Sequence, residues 1–479
     1  MYQTCETIRF WAEDNFGAVP LSDERRVDRV VTIAEAMAVN AGKTIPQMFA
    51  RPYDVKATYE LFKHEEATVE NLQAGHWEKV WSELSQAGIY LLVEDTTAMS
   101  WSGNEPIAGL GAIGDGHAGQ QGFYVHTVLG MRWHAEVLGG ESERRPPVEI
   151  LGIAHQHYYV RQPKSQPDQP ESSSTRKRRA RESMRWAESV TEIGALAEAG
   201  RYVHIADREA DIFEYLVACQ AHGHGYVVRA CQNRALHQPA QNKRAGRLFE
   251  SARAATALGS FKLKLRTRKG QASRAAQLHV SAVEVVLSPP YRPAGDAPKL
   301  APLACRVIRV WEVDAPAGVK PLEWILLTDV AVGVFEQALE CVLQYATRWI
   351  IEEYHKALKT GMGAERLQLE HVHRLSAAIA IKSVVALRLI DMKERLRVSE
   401  ACPAEASGLS ELELEVLKET TNKALKTVKD IALQIGRLGG HMNRKADGMP
   451  GWITLWRGME KLRLLVEGVR LSHKVKRFG

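Results

Sequence analysis

Residues 88–95 read GIYLLVED, an apolar run that ends in two carboxylates. An apolar run of this length without alternation is typical of a strand buried on both faces, as in the sheet of an α/β fold. Residues 202–207, YVHIAD, repeat the pattern, and residues 208–216 then change to helical spacing. Asp95 and Asp207 are therefore predicted at the carboxyl ends of two strands, which is the usual position of a site in an open α/β sheet.

Each aspartate also has a purely structural explanation. Asp95 could cap the turn after its strand, and Asp207 could be the N-cap of the helix that it precedes. For either residue taken alone, capping is the favoured interpretation. The functional interpretation therefore depends on a third acidic motif.

Residues 345–359, YATRWIIEEYHKALK, separate into two faces when they are placed on a helix. At about 100° per residue, the polar members fall within an arc of roughly 80°. The polar stripe comprises Tyr345, Arg348, Glu352, Lys356 and Lys359, and the apolar stripe comprises Ile350, Ile351, Tyr354, Ala357 and Leu358. One carboxylate among three cations and a phenol suits a phosphate site. The alternative is a surface helix with an ordinary i,i+4 pair between Glu352 and Lys356.

Two strand-end aspartates and a helical glutamate supply three hard oxygen ligands. Such a set suits Mg²⁺, with Mn²⁺ as a possible substitute, because Mg²⁺ keeps several waters and accepts phosphate oxygens from its substrate. Two ions about 3.5–4 Å apart could activate a water or hydroxyl and stabilise the leaving oxygen of a phosphoryl transfer. The three cations of the polar stripe would then bind neighbouring phosphates.

Together the motifs resemble the acidic triad and the Y-R-E-K signature of bacterial cut-and-paste transposases of the insertion-sequence-four family, which includes the transposase of transposon five. The three motifs are residues 94–97 (EDTT), residues 207–211 (DREAD) and Tyr345-x2-Arg348-x3-Glu352-x6-Lys359. Other counterparts are Trp11 and residues 22–26, 125–129, 226–229, 321–324 and 437–440. The resemblance therefore covers most of the chain.

The resemblance implies a role for each matching residue. Asp95, Asp207 and Glu352 match the family's metal-binding triad, whereas Asp211 and Glu353 do not. Residues that match contacts to transposon-end DNA are Arg229, Tyr345, Arg348 and Lys359. Trp324 matches a tryptophan on which a flipped base stacks while a DNA hairpin forms. Its alternative is an ordinary sheet tryptophan, because residues 324–327 (WILL) have strand-like composition.

The expected fold is α/β, and the resemblance implies a ribonuclease-H-like catalytic domain, which we place at residues 76–370. Residues 1–75 are predicted to form a helical domain that binds transposon ends, with Arg25, Arg26 and Arg29 touching phosphates or simply facing solvent. A β-rich insertion is expected at about residues 230–330, and a mobile basic loop at residues 161–181 that touches DNA or is solvated. Residues 371–479 are predicted to be helical, and the family implies that they dimerise.

Composition agrees with these expectations without specifying them. The chain has 479 residues, 45% of them hydrophobic and 25% charged, and a formal net charge of +6. Six scattered cysteines without a CxxC pair make a zinc site or disulfide framework unlikely and favour a reducing compartment. No signal peptide or long apolar run is evident. The protein is therefore expected in the bacterial cytoplasm, associated with the nucleoid.

The function that the resemblance implies is transposition of DNA by a homodimer bound to terminal inverted repeats. It comprises hydrolytic nicking, hairpin formation and transfer of the 3′-hydroxyl to target DNA. One alternative is a DNA nuclease of the ribonuclease-H fold, such as a Holliday-junction resolvase. Another is a catalytically silent DNA-binding regulator derived from a transposase.

Overall fold

The computed structural model describes residues 5–102, 106–114, 120–134, 148–161, 182–195, 200–265, 274–290, 300–398, 400–444 and 447–475. Of the predicted basic loop at residues 161–181, all but the first residue lies outside these ranges. Within them, no helix is both long and apolar enough to span a membrane.

The N-terminal region is helical, as predicted. Its helices are α1 (Cys5–Phe16), α2 (Glu24–Val39), α3 (Ile45–Met48), α4 (Pro52–Lys63) and α5 (Val69–Leu84). Asp23 is the N-cap of α2, since its side chain accepts a hydrogen bond from the Arg25 backbone N–H. The apolar side of α2, including Val30, Ala34 and Met37, is buried.

A mixed sheet forms the centre of the protein. Its strands are β1 (Gly88–Ser102), β2 (Gly111–Ala112), β3 (Gln120–Trp133), β4 (Val148–Tyr159), β5 (Gly200–Ala206), β6 (Gly225–Arg229), β7 (Ala235–Gln238), β8 (Lys243–Arg247), β9 (Ala257–Leu265), β10 (Arg274–Leu287), β11 (Leu303–Val313) and β12 (Glu323–Thr328). In the described residues the strand order is β2-β3-β1-β5-β6-β12-β11-β10-β7-β8, with β4 paired to β3 and β9 to β10. Strands β4, β3 and β1 are antiparallel, while β5 and β6 continue the sheet parallel to β1.

Strand β1 is longer than the apolar run had indicated. It does not end at Asp95 but continues to Ser102, because antiparallel pairing with β3 satisfies its backbone up to the last residue. Its parallel pairing with β5 stops earlier, at Val93 with Ile205. Asp95 therefore lies inside a strand, and the predicted end of the strand at this residue was wrong. Asp95 nevertheless lies just beyond the point where the parallel pairing of β1 with β5 ends.

The predicted β-rich segment is part of the same sheet. The segment predicted at residues 307–313 pairs antiparallel with the strand that contains Trp324, as expected, although the pairing covers residues 306–311. On the far side of β11, β10 pairs with both β11 and β9. Strand β12 also pairs with β6, so the segment extends the central sheet. Three helices pack on one face of the sheet: α6 (Arg185–Ile193), α7 (Phe213–Ala221) and α8 (Leu248–Ala254). They share an apolar core with β6, β10 and β11.

Two helices, α9 (Phe335–Ala346) and α10 (Trp349–Lys356), follow the sheet. The rest of the described chain is helical, as predicted, with α11 (Val372–Val398), α12 (Glu411–Thr421), α13 (Val428–Leu438) and α14 (Trp452–Val475). Helix α11 contacts α2, α4 and α5 of the N-terminal region, strand β4, helix α10 and the C-terminal helix α14. It thereby joins all three predicted regions around one buried core.

Candidate active site

The two strand aspartates lie next to each other at one edge of the sheet. Asp95 is two residues beyond the last β1–β5 pair, and Asp207 directly follows β5. The Asp207 carboxylate accepts the Glu209 backbone N–H at 2.7 Å and caps a short 3₁₀ turn, residues 208–210. The capping interpretation of Asp207 is therefore correct locally, and it leaves the other carboxylate oxygen available to a ligand.

The electrostatic environment of Asp95 shows how close these carboxylates are. Burial and the neighbouring Asp207 carboxylate raise the pKa of Asp95 to about 7. His355 lies alongside, with its Nδ1 atom 3.7 Å from the Asp95 carboxylate. Burial lowers the pKa of His355 to about 3, so its ring is neutral and does not compensate the negative charge. The positive charge nearest to the two aspartates is therefore not His355 but the guanidinium of Arg348.

The third acidic residue faces a different partner. Glu352 lies on α10, and its carboxylate is 2.6 Å from the guanidinium of Arg348, one helical turn earlier. Within the described residues, no three His, Cys, Asp or Glu side chains are grouped closely enough to hold a metal ion. The structure therefore brings Asp95 and Asp207 together, with Arg348 near both, while Glu352 is turned toward Arg348.

The segment at residues 345–359 is not the single regular helix that its two faces suggested. Tyr345 belongs to α9, which ends at Ala346, and α10 begins at Trp349. Between the two helices, the Thr347 hydroxyl donates a hydrogen bond to the Gln344 carbonyl at 2.6 Å. This bond competes with the regular hydrogen bonds of the helix backbone. Residues 357–361 then form a π-helical turn, so the position of Lys359 differs from that on a regular α-helix.

The predicted apolar stripe is nevertheless confirmed. All five of its members are buried: Ile350, Ile351, Tyr354, Ala357 and Leu358. The Tyr354 hydroxyl accepts a hydrogen bond from the Gln156 side chain at 3.0 Å, which links α10 to β4 below the site. The stripe therefore fixes the face of α10 that points toward the aspartates.

The predicted DNA contacts have different degrees of exposure. Tyr345 is buried, and burial raises its pKa even though Arg348 and Arg229 nearby oppose the shift. Lys356 is exposed, whereas the ammonium of Lys359 lies 3.7 Å from the Glu365 carboxylate. Arg229, Arg348 and Tyr345 thus lie close to one another beside Asp207.

Trp324 is half-buried and packs against the main core. That placement is compatible with a sheet tryptophan and with a partly exposed stacking platform. The stacking role of Trp324 stays a prediction.

Among the N-terminal arginines, Arg25 is the most exposed, with 91% of its side chain accessible, and its guanidinium pairs with the Asp23 carboxylate at 3.0 Å. Arg26 lies 3.4 Å from Glu66, and Arg29 pairs with the buried carboxylate of Asp54 at 2.8 Å. The contact of these arginines with phosphates stays a prediction, and Arg25 is the one whose position suits it best.

Sequence reasoning missed a buried network directly behind Asp95. The fully buried Glu94 carboxylate accepts hydrogen bonds from His204 at 2.8 Å, from His126 at 3.2 Å and from the Tyr215 hydroxyl. The two histidines lower the pKa of Glu94 to about 2 although burial opposes this. The alternation of strand side chains was the available signal, since Glu94 must point away from the face of Asp95.

Each end of the chain matches a family of transposase domains. Residues 8–67 match the family described as transposase DNA-binding, and residues 413–479 match the transposase Tn5 dimerisation domain. A solved structure of the piggyBac transposase synaptic complex with hairpin DNA, determined by cryo-EM, aligns with 8% sequence identity and a TM-score of 0.36 over 92% of this chain and 80% of that chain. The two family matches, at opposite ends of the sequence, support a Tn5-like DNA transposase.

Proposed function

We propose that this transposase carries out cut-and-paste transposition with Asp95, Asp207 and Glu352 as a metal-binding triad. The observation that carries the proposal is the meeting of two strand aspartates with helix α10 at one edge of the sheet. Three antiparallel strands followed by two parallel ones support a ribonuclease-H-like catalytic domain over residues 76–370.

The residues present suit a divalent cation such as Mg²⁺ or Mn²⁺. Two carboxylates share a partly buried position, and burial together with the repulsion from Asp207 raises the pKa of Asp95. A hard cation bound to both would remove that repulsion. When bound, it would activate a water or hydroxyl and stabilise the leaving oxygen. Asp95 and Asp207 would hold it, with Glu352 as the third carboxylate.

Glu352 can join the aspartates only after it leaves Arg348. A DNA phosphate offers Arg348 a competing anion, and the guanidinium binds phosphate and carboxylate oxygens with the same planar geometry. The buried Nε atom of Arg348 has no hydrogen-bond partner among the described residues, and the same holds for Nε2 of His355. The unused N–H of Arg348 supports the binding of a ligand that is rich in acceptor oxygens.

The remaining cations would hold the DNA backbone. Arg229 and Tyr345 stand together beside the aspartates, and Lys356 and Lys359 follow along α10 and the π turn. Fixing the phosphate in line with the attacking oxygen supplies much of the rate enhancement in such reactions. Residues 1–75, with Arg25, Arg26 and Arg29, would bind the transposon ends.

The proposed reaction has four steps. A water nicks each transposon end, and the freed 3′-hydroxyl attacks the opposite strand to form a hairpin. A second water opens the hairpin, and the same hydroxyl then attacks target DNA. Trp324 would stack on a base that leaves the duplex during hairpin formation.

Dimerisation through residues 371–479 is supported by the surface of α14. Leu464 and Leu471 are 68% and 62% exposed, and Gly468 lies between them at helical spacing. A second protomer could approach closely over Gly468, because a Cβ atom at this position would meet nothing within 4 Å. Exposed leucines at this spacing are typical of a helix that pairs with another helix.

The test is cleavage of a linear duplex that carries the DNA flanking the gene, with Mg²⁺ present. Wild type is expected to release hairpinned ends, Glu352→Gln to bind without cleaving, and Trp324→Ala to stall after nicking. Glu353→Gln is the matched control, because Glu353 pairs with Lys393 and points elsewhere on the helix. Binding without cleavage by wild type would contradict the proposal and favour a silent DNA-binding regulator.

A separate measurement tests the exchange of Arg348 between Glu352 and DNA. Arg348→Met is expected to weaken DNA binding, yet to increase Mn²⁺ affinity in the absence of DNA, because Glu352 is no longer held. Titration of Mn²⁺ followed by electron paramagnetic resonance reports that affinity without turnover. Unchanged or weaker Mn²⁺ binding by the variant would contradict the exchange.

A further inference from the structure

The hairpin formed by β7 and β8 carries a cluster of cations that the proposed site does not use. Every residue of β8 is exposed, and the strand contains Lys243, Arg244 and Arg247. Strand β8 is the last in the sheet order, so one edge of it has no strand neighbour among the described residues. A short, charged edge strand resists pairing with other chains and leaves its side chains free for another partner.

The two arginines lie on the same face of the hairpin although they are three residues apart. Arg244 is opposite His237, and Arg247 is opposite Ala235, so β8 contains one extra residue between these pairs. Gly246 accommodates the extra residue with a φ of 75°, which is a conformation suited to glycine. Without this bulge, residues three apart on a strand would point to opposite faces.

Lys243 points to the other face. It is opposite Gln238, which is the next residue after His237 and therefore projects to the other side of the strand. The hairpin thus has one face with two guanidinium groups and another with a single ammonium group.

Both guanidinium groups retain unused donors. Arg244 donates to the Pro289 carbonyl at 2.9 Å, and Arg247 to the Asn233 carbonyl at 3.3 Å. Among the described residues, neither arginine forms an ion pair with a carboxylate. Since a guanidinium has five N–H donors, each can still bind a phosphate.

The base of the hairpin is fixed to the catalytic edge. The buried Asp211 carboxylate, four residues after Asp207, accepts the backbone N–H groups of Cys231 and Gln232 at 2.7 and 2.8 Å. It also pairs with Arg234 at 2.6 Å, just before β7 begins. These contacts connect the Asp207 loop to the chain that leaves β6 after Arg229, so the hairpin starts beside the DNA contacts proposed above.

We infer that the Arg244–Arg247 face of this hairpin binds the phosphate backbone of the duplex DNA that lies across the catalytic edge. The inference rests on the proposed function, because the duplex must first occupy the site. Charge complementarity selects the partner: two unpaired guanidinium groups on an exposed strand fit a polyanion, and phosphate contacts position a duplex without reading its sequence.

The test compares Arg244→Gln and Arg247→Gln with Lys243→Gln. Each variant removes one positive charge from the same strand, but Lys243 lies on the opposite face. Binding of a fluorescein-labelled duplex with the DNA that flanks the gene is followed by anisotropy over a range of salt concentrations, in Ca²⁺ to prevent cleavage. Each arginine variant is expected to lower the slope of log K against log salt by about 0.9, and the double variant by about 1.8.

Lys243→Gln is expected to keep the wild-type slope. If all three variants lower it equally, or none does, the assignment of this face to DNA is overturned. The proposed function fails separately, if wild type does not cleave the duplex when Mg²⁺ is present. A double variant that is unfolded is recognised by its circular dichroism, and the two single variants then decide the question.

Discussion

Replacing Asp211 with alanine is expected to lower the free energy of unfolding by about 3–5 kcal/mol, because a buried guanidinium loses its counter-charge. The Asp211 side chain is 0% exposed and that of its partner Arg234 is 9% exposed. The change also removes the acceptor for the N–H groups of Cys231 and Gln232. Each orphaned donor can cost about 1–3 kcal/mol when buried, but these losses overlap and are not additive.

The assay is urea unfolding of wild type, Asp211→Ala, Arg234→Met and the double variant. Removing both charges is expected to recover about 2 kcal/mol relative to Asp211→Ala, since no unpaired ion remains. Glu312 provides a matched control: it is buried, pairs with Arg274 and accepts a backbone N–H, but it lies on β11.

Glu312→Ala should lose similar stability, yet only Asp211→Ala should also raise the Mg²⁺ concentration needed for cleavage. An Asp211→Ala protein within about 1 kcal/mol of wild type would refute the reasoning, because a buried pair cannot be broken so cheaply. A double variant as unstable as the sum of the two single variants would refute it as well.

Three further changes have defined outcomes. Gly458→Ala should lower the stability measured by thermal unfolding by about 1–3 kcal/mol, because its Cβ would lie 1.8 Å from a carbonyl oxygen of α13. Gly468→Ala should be tolerated, because its Cβ would meet nothing within 4 Å. Burial lowers the pKa of Lys382 to about 8, so between pH 8 and 10.5 the unfolded chain binds one more proton than the folded chain. The free energy of unfolding of wild type, measured in urea, should therefore rise by up to about 3 kcal/mol relative to that of Lys382→Met as the pH rises through this range. Glu365→Gln should change stability by less than about 1 kcal/mol and tighten duplex binding in anisotropy, because it removes a carboxylate 3.7 Å from the Lys359 ammonium.

Local patterns predicted much of the fold. The apolar runs before Asp95 and Asp207 are strands, and the apolar stripe of residues 350–358 is buried, because hydrophobic periodicity depends only on near neighbours along the chain. The strands of the β-rich segment followed from alternation and turn composition in the same way. The N-terminal and C-terminal helices were predictable for the same reason.

Features that depend on distant partners were not predictable. The extension of β1 to Ser102 is supplied by β3, and no property of residues 96–102 alone reveals that pairing. Glu94 appeared to be a second strand-end carboxylate, yet it is buried among histidines from two other strands. A π turn at residues 357–361 likewise reflects packing against α11 rather than a local sequence signal.

The pairing of Arg348 with Glu352 shows that one helical spacing is compatible with two arrangements of the proposed site. Residues one turn apart share a face, so the same spacing that places Glu352 toward the aspartates also lets it bind Arg348. The pair is only partly shielded, since 11% of the Arg348 side chain and 39% of the Glu352 side chain are exposed, and it is therefore weak enough for a phosphate to displace. A catalytic carboxylate held by a DNA-binding arginine would become available only when DNA is present, which ties assembly of the triad to the arrival of its substrate.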